Sequence, residues 1–313
     1  MLQTILGSSG QIGTELTREL ARNFTRELRL VSRNPVKVNE GDETFAADLL
    51  DPEQTLRAVE GSKIVYLTAG LPMDTAMWVE QWPIMMRNVI EACEVHGAKL
   101  VFFDNTYMYP QTATPQTEET EFQPQGQKGE VRAKIVRMLE TAIEEGRVEA
   151  LIGRAPEFYG PGKTRSVTTT MVVDNLWNGK PAKVLLRDDT KRTLIYTPDA
   201  SRALALLGNT PDAYGQTWHL PSDDDRVTLR KFVDIAADTF ETEPRLDILK
   251  KWQLKLASLF SKRAAGAVEL LPRYAVDNIF VSDKFKARFP EFQVTSIASG
   301  LEEIRRERAG AEW

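Results

Sequence analysis

The chain opens on a short apolar run, Leu2, Ile5 and Leu6, that breaks into a turn carrying Gly7, Gly10 and Gly13. A buried strand that ends in a glycine turn and reopens as a helix leaves backbone N–H groups pointing out of the helix start. There they and the helix dipole favour a phosphate. Gly7 permits the tight turn, Gly10 lets backbone approach a pyrophosphate, and Gly13 lets the helix lie close on the strand. Ser9, Gln11 and Ile12 belong to the same cradle. The spacing is GxxGxxG rather than GxGxxG, and three glycines also suit an ordinary strand-to-helix turn.

Further signals lie at the ends of the strands that follow. Leu28 to Val31 reads as a second strand, ending in Ser32-Arg33-Asn34-Pro35-Val36-Lys37. In a dinucleotide fold this position faces the adenosine ribose. An acid there accepts from a free 2′-hydroxyl, whereas Arg33 forms bidentate bonds to a 2′-phosphate, with Ser32 and Lys37 in support. The expected cofactor is therefore NADP in preference to NAD; a solvated basic loop is the alternative. After a third strand, Thr44 to Ala47, Asp48 stands with Leu49 where a carboxylate accepts from an adenine amino group. Asp51 is placed to cap a helix over 52–60 with Pro52 at its first position. Lys63 to Leu67 is apolar enough for the inside of a parallel sheet, and the small residues Thr68, Ala69 and Gly70 at its end leave room on the cofactor side.

Strands and helices alternate through residue 160 at spacings suited to right-handed crossovers, which predicts an α/β fold with a doubly wound parallel sheet of the Rossmann type. Ile12, Leu16, Leu20 and Phe24 recur at four-residue steps and mark the first helix. The segment from Asp74 to Gly97 is predicted helical, with Pro83 kinking it or dividing it in two. A fifth strand, Leu100 to Phe103, leads into a polar loop of about twenty residues, long enough for an active-site lid. Beyond Gly162 the regularity fades. Helices are expected near 167–177, 198–207, 228–240, 250–262 and 295–308, with short strands at 183–186, 194–196 and 218–220. The division that follows is a dinucleotide-binding domain over 1–160, with 183–208 packing back on it. A smaller α+β C-terminal lobe over 161–182 and 209–313 binds the substrate.

The 313 residues suffice for a full core, and a net charge of −5 with 27% charged residues gives no reason to expect nucleic acid or an anionic membrane as partner. The one cysteine, Cys93, excludes an internal disulfide framework and fits a reducing cytoplasm. No apolar run approaches the ~18 residues of a membrane helix. His96 and His219 have no second ligand at metal spacing, so no metal is expected. A monomer or homodimer acting on a small molecule is the expected assembly.

These residues resemble the extended short-chain dehydrogenase/reductases, also called the NAD-dependent epimerase/dehydratase family. The resemblance covers roughly 1–220 and is carried by GSSGQIG at 7–13, SRNPVK at 32–37, ADLLD at 47–51 and TAG at 68–70. It continues in Lys134, GRAPEFYGPG at 153–162 and RTLIYTPDASRA at 192–203. It implies that Pro156 and the residues after it pass near the nicotinamide, and that Arg192 and Asp199 tie the two lobes together. Active members resembling this chain use a Ser or Thr after the fifth strand with a Tyr and a Lys four residues apart. Lys134 fits the lysine, and Asn105 or Thr106 fits the hydroxyl position, but Glu130 stands where the tyrosine belongs. Three readings follow. Glu130 is itself the acid/base, Tyr107 or Tyr109 supplies the phenol from past the fifth strand, or the chain binds NADP without turning it over. The implied function is an NADP-dependent oxidoreductase or epimerase-like enzyme moving hydride to or from a carbonyl or hydroxyl compound. The alternative is a non-catalytic, regulatory or redox-sensing NADP-binding protein.

Overall fold

Seven strands pair in parallel in one central sheet, in a computed structural model that describes residues 1–162, 164–260 and 262–311. Along the first half, β1 (Gln3–Leu6), α1 (Gln11–Asn23), β2 (Leu28–Ser32), β3 (Glu43–Ala46), α2 (Pro52–Val59) and β4 (Ile64–Leu67) alternate. They are followed by α3 (Thr75–His96), β5 (Lys99–Asp104), α4 (Gln127–Glu144) and β6 (Ala150–Arg154). The chain winds outward from β1 through β2 to β3, then returns to β1's other side and winds outward through β4, β5 and β6. Strand order thus reverses between β1 and β4, and the carboxyl ends of those two strands border a crevice where α/β sheets hold ligands.

The second half contributes β7 (Glu157–Tyr159), a π-helical turn at Thr169–Val173 running into α5 (Asp174–Trp177), β8 (Ala182–Leu185), β9 (Leu194–Tyr196) and α6 (Thr197–Gly208). After these come β10 (Thr217–His219), α7 (Leu229–Thr239), β11 (Leu246–Leu249), α8 (Lys251–Ser258), α9 (Lys262–Val268), α10 (Asp283–Arg288) and α11 (Ile297–Ala311). Two small parallel pairs, β7 with β9 and β8 with β11, lie outside the main sheet.

Burial explains the layering. All four residues of β1 and of β4 are buried, as central strands covered on both faces must be, while the edge strand β3 is largely exposed. One face of the sheet packs against α2, α3 and α4 through Trp82, Met86, Val136 and Leu139. The other packs against α1 and α6 through Ile12, Leu16, Leu20, Ala203 and Leu204. Fully buried leucines of this kind each contribute about 1.5–3 kcal/mol relative to exposure. Asp51 caps α2 by accepting from Gln54 N at 2.9 Å, with Pro52 in the first turn.

Four expectations change. Pro83 does not divide α3, which runs unbroken for 22 residues; the carbonyl that Pro83 deprives of a donor belongs to Val79, which is exposed and can turn to water. Within the stretch 183–208, α6 covers the main sheet whereas the strand over 183–186 is β8, paired with β11, and β10 extends the main sheet beyond residue 209. Helix 250–262 ends at Ser258, and a second helix starts at Lys262. The long loop after β5 is pinned and is no free lid: Gln116 N donates to Ile279 O at 2.8 Å and Val281 N to Gln116 O at 2.9 Å.

Candidate cofactor and substrate site

The glycine turn opens the crevice. Gly7 has φ +92°, and a Cβ there would stand 2.5 Å from Ala69 N and Cα, so the β1 and β4 loops are in backbone contact. A Cβ on Gly13 would meet Gly7 O at 2.6 Å, which holds α1 against its own entry turn. Gly10 is the N-cap and offers no side chain, leaving the N–H groups of Gln11, Ile12 and Gly13 free for a ligand. Ser9 Oγ and Ser32 Oγ are 2.9 Å apart and lock the first turn to the end of β2. Gln11 Oε1 accepts from Arg165 N at 2.8 Å, so the loop after β7 reaches back over the turn.

Beyond β2, Arg33 is exposed, and among the described residues no hydrogen bond or ion pair engages its guanidinium. Lys37 is turned to its own loop, donating from Nζ to Glu40 O at 2.9 Å. Asp48 Oδ1 accepts from Leu50 N at 3.0 Å, and the buried Leu49 holds α3 through its carbonyl, which accepts from Asn88 at 2.9 Å. Thr68 is buried and donates to Leu6 O at 3.2 Å, Ala69 and Gly70 lie at the mouth, and Pro156 is buried after β6. The cradle fits an adenine dinucleotide: uncapped amides, close-packed glycines and an uncommitted guanidinium stand in the order its diphosphate and ribose require.

The catalytic assignments on α4 need correction. Glu130 and Lys134 are both exposed, on the polar side of the helix with Arg137, so neither faces the sheet. The buried stripe is Lys128, Gly129, Val131, Arg132, Ile135, Val136 and Leu139. Two residues of slip carry a side chain about 200° around a helix. The cations four apart that face inward are therefore Lys128 and Arg132. Lys128 Nζ donates to Gly266 O at 2.8 Å and Glu269 Oε1 at 2.9 Å, and lies 5.8 Å from the Trp78 ring.

At the end of β5, Asp104 is held between two buried arginines. Arg132 Nε donates to its Oδ1 at 3.0 Å and Arg154 Nε to its Oδ2 at 2.9 Å. Arg154 continues the chain to the Tyr109 hydroxyl at 2.6 Å, which lies 2.7 Å from His219 Nε2. His219 Nδ1 is 2.7 Å from Val281 O, so that nitrogen carries the proton and Nε2 accepts from Tyr109. Burial, with Arg154 beside it, pushes the His219 pKa down to about 3 and keeps the ring neutral. Burial raises the Tyr109 phenol to about 12 despite Arg154. Tyr109 is thereby committed to structure.

Thr106 and Tyr107 line a small cavity that Tyr109 also borders, and Asn105 lies beside it in the chain but outside its lining. Thr106 Oγ1 accepts from Arg273 Nη2 at 2.7 Å, and Asn105 Oδ1 accepts from Tyr107 N at 3.0 Å. The Tyr107 ring stacks on Trp78 with centroids 5.8 Å apart, and Arg273 covers it at 5.2 Å. Among the described residues the Tyr107 hydroxyl has no protein partner. Burial raises its pKa, opposed by the Arg273 guanidinium. The cavity is about 10 Å³, room for one water-sized group, and is also lined by Gln111, Gln116 and Asn278, whose buried oxygens Oε1, Oε1 and Oδ1 have no partner among the described residues. Arg192 and Asp199 do bridge distant segments: Arg192 pairs with Glu157 at 3.0 Å, and Asp199 accepts from Thr295 N at 2.6 Å. Arg273, Lys128 and the Asp104 network escaped sequence reasoning. Only the helical phase of 128–139 carried a signal for the middle one.

A sheet wound both ways from a glycine turn at its switch point defines a dinucleotide-binding α/β protein. Residues 4–220 match the model of the NAD dependent epimerase/dehydratase family, and the chain belongs to that family. It is 26% identical over 214 residues to the ceramide reductase of Caulobacter vibrioides, covering 66% of this chain and 61% of the relative. It is 26% identical over 230 residues to the 2′-dehydrokanamycin reductase of Streptomyces kanamyceticus, covering 70% and 61%. The matches thus span less than two thirds of these curated relatives. The NAD complex of Thermus thermophilus UDP-glucose 4-epimerase shares the fold, with a TM-score of 0.77 over 97% of this chain and 99% of that one at 16% identity.

Proposed function

We propose that the protein binds NADP and moves hydride between it and a small hydroxyl-bearing carbonyl or alcohol compound seated beside Tyr107. Arg33 supports the choice of NADP, because a guanidinium with no partner among the described residues stands past β2 where a 2′-phosphate would lie. The observation that carries the catalytic part is the uncommitted Tyr107 hydroxyl in a cavity that also holds Thr106 and Arg273. A bound nicotinamide supplies or accepts the hydride. The chain's own task is to place the substrate and handle one proton.

Thr106 orients the substrate oxygen, Asn105 fixes the backbone of Tyr107 by accepting from its N–H, and Tyr107 holds the proton. Burial keeps its phenol protonated at neutral pH, and an alkoxide forming from a carbonyl is a far stronger base, so transfer to it runs downhill. In the reverse direction the phenolate takes the proton, stabilised by Arg273. The side-chain oxygens of Gln111, Gln116 and Asn278, without partners among the described residues, suit one hydroxyl of the substrate, which is all the cavity has room for. Reduction activities named for the two curated relatives support the same class of reaction.

The test is NADPH oxidation across a panel of hydroxy-ketones and hydroxy-aldehydes. Turnover is expected, with Tyr107→Phe lowering kcat about 10²- to 10⁴-fold and Glu130→Gln leaving it unchanged. Retained turnover in Tyr107→Phe refutes the role of the phenol. A second reading, a non-catalytic NADP-binding regulator, draws on two facts: Lys128 is sealed by Glu269, and the cavity has room for only a water-sized group. Tight NADP binding without turnover on any compound selects that reading.

A further inference from the structure

The net charge of −5 conceals a strongly basic stretch. Between Asp247 and Glu269 the sequence carries Lys250, Lys251, Lys255, Lys262 and Arg263 and no acid. The same stretch holds the densest exposure of large apolar side chains among the described residues: Trp252 is 63% exposed, Leu256 52%, Leu259 75% and Phe260 84%. Trp252, Leu256, Leu259 and Phe260 follow i, i+4, i+7, i+8 spacing, so α8 and the turn after it present one apolar stripe. Leu254, on the opposite side, packs into the cluster of Leu185, Leu271 and Tyr274. The helix is therefore anchored by one face while the other, bulkier face stands in water at a cost the fold does not recover. Lys251 and Lys255 border one edge of the stripe, Lys250 stands at the helix N-terminus, and all three are exposed.

We propose that this segment docks the protein on an anionic lipid surface. An apolar stripe with aromatic and leucine side chains, bordered by lysines, matches a helix lying in the headgroup layer. Charge decides against a second copy of the chain as occupant, because pairing two such faces brings two basic clusters together. No helix among the described residues is long and apolar enough to cross a membrane, so the attachment is peripheral. The same stretch of chain continues into Glu269, which pairs with Lys128, and on to Leu270 and Arg273, which line the candidate substrate cavity.

The test is co-sedimentation of the full chain with vesicles of phosphatidylcholine alone and of phosphatidylcholine with phosphatidylglycerol. Binding is expected to the anionic vesicles, weakening with salt, and each Lys→Gln change at 250, 251 or 255 lowers the partition coefficient about fivefold. The triple change Trp252→Ser, Leu256→Ser, Phe260→Ser abolishes binding, with unchanged thermal unfolding as the control for folding. Absence of binding to anionic vesicles at low salt overturns the proposal, as does binding that the lysine and apolar variants leave intact. A concentration-dependent dimer that the same apolar triple variant dissolves, without vesicle binding, assigns the face to a second copy and also overturns it.

Discussion

Replacing Arg33 with alanine tests the cofactor assignment directly. The guanidinium is exposed and carries no bond among the described residues that the substitution would break, so the variant should fold normally and any loss belongs to the ligand. A charge-assisted, bidentate pair with a 2′-phosphate is strong in a dry site, but here water screens it. The expected loss in NADP affinity is therefore about ten- to thirtyfold, at the lower end of what such pairs contribute. NAD lacks the 2′-phosphate, and its affinity should stay within about twofold. Calorimetric titration of both cofactors at fixed ionic strength reads the two constants, and the NADP constant alone should shrink as salt is raised. Arg33→Asp should go further and invert the preference, since a carboxylate accepts from the free 2′-hydroxyl of NAD. A preference for NADP that survives in Arg33→Ala refutes the reasoning.

Other perturbations probe the frame. Asp104→Asn leaves Arg132 and Arg154 buried without an anion and should cost about 3–5 kcal/mol, read as a lowered midpoint in urea unfolding; a loss under about 1 kcal/mol contradicts the network. His219 is neutral when folded, with its pKa pushed down to about 3, and ordinary when unfolded. The unfolded chain thus takes up the extra proton, and stability should fall by about 1.4 kcal/mol per pH unit as the pH drops from about 6 towards 3. His219→Gln should remove that slope from the difference between acid and neutral unfolding curves. Gly7→Ala places a methyl against the Ala69 backbone at φ +92° and should both lower the melting temperature and abolish NADP binding; unchanged binding would show that the β1 turn does not form the cradle.

Much of the frame is written in local signals. Gly7, Asp51 with Pro52, and the four-residue recurrence of Ile12, Leu16 and Leu20 act through φ, capping and periodicity, which neighbouring residues settle among themselves. The glycine turn after β1 was legible because it depends on such signals, and what it and Arg33 hold is the proposal the cofactor titrations test. On α4 a family spacing pointed to Glu130 and Lys134, whereas the apolar phase of Val131, Ile135 and Leu139 places Lys128 and Arg132 inward. Weighing the phase against the spacing would have found them.

By itself the amino-acid order determined the doubly wound sheet, the family and the glycine turn after β1, because strand and helix periods and glycine dihedrals are short-range properties. Only the tertiary structure decided that Arg132, Arg154 and Tyr109 converge through Asp104 on His219, and that Arg273 arrives beside Thr106 and Tyr107 from 167 residues away. Those meetings are set by how helices seat on the sheet and how the second half closes over its edge, and nothing in the local sequence specifies such distances.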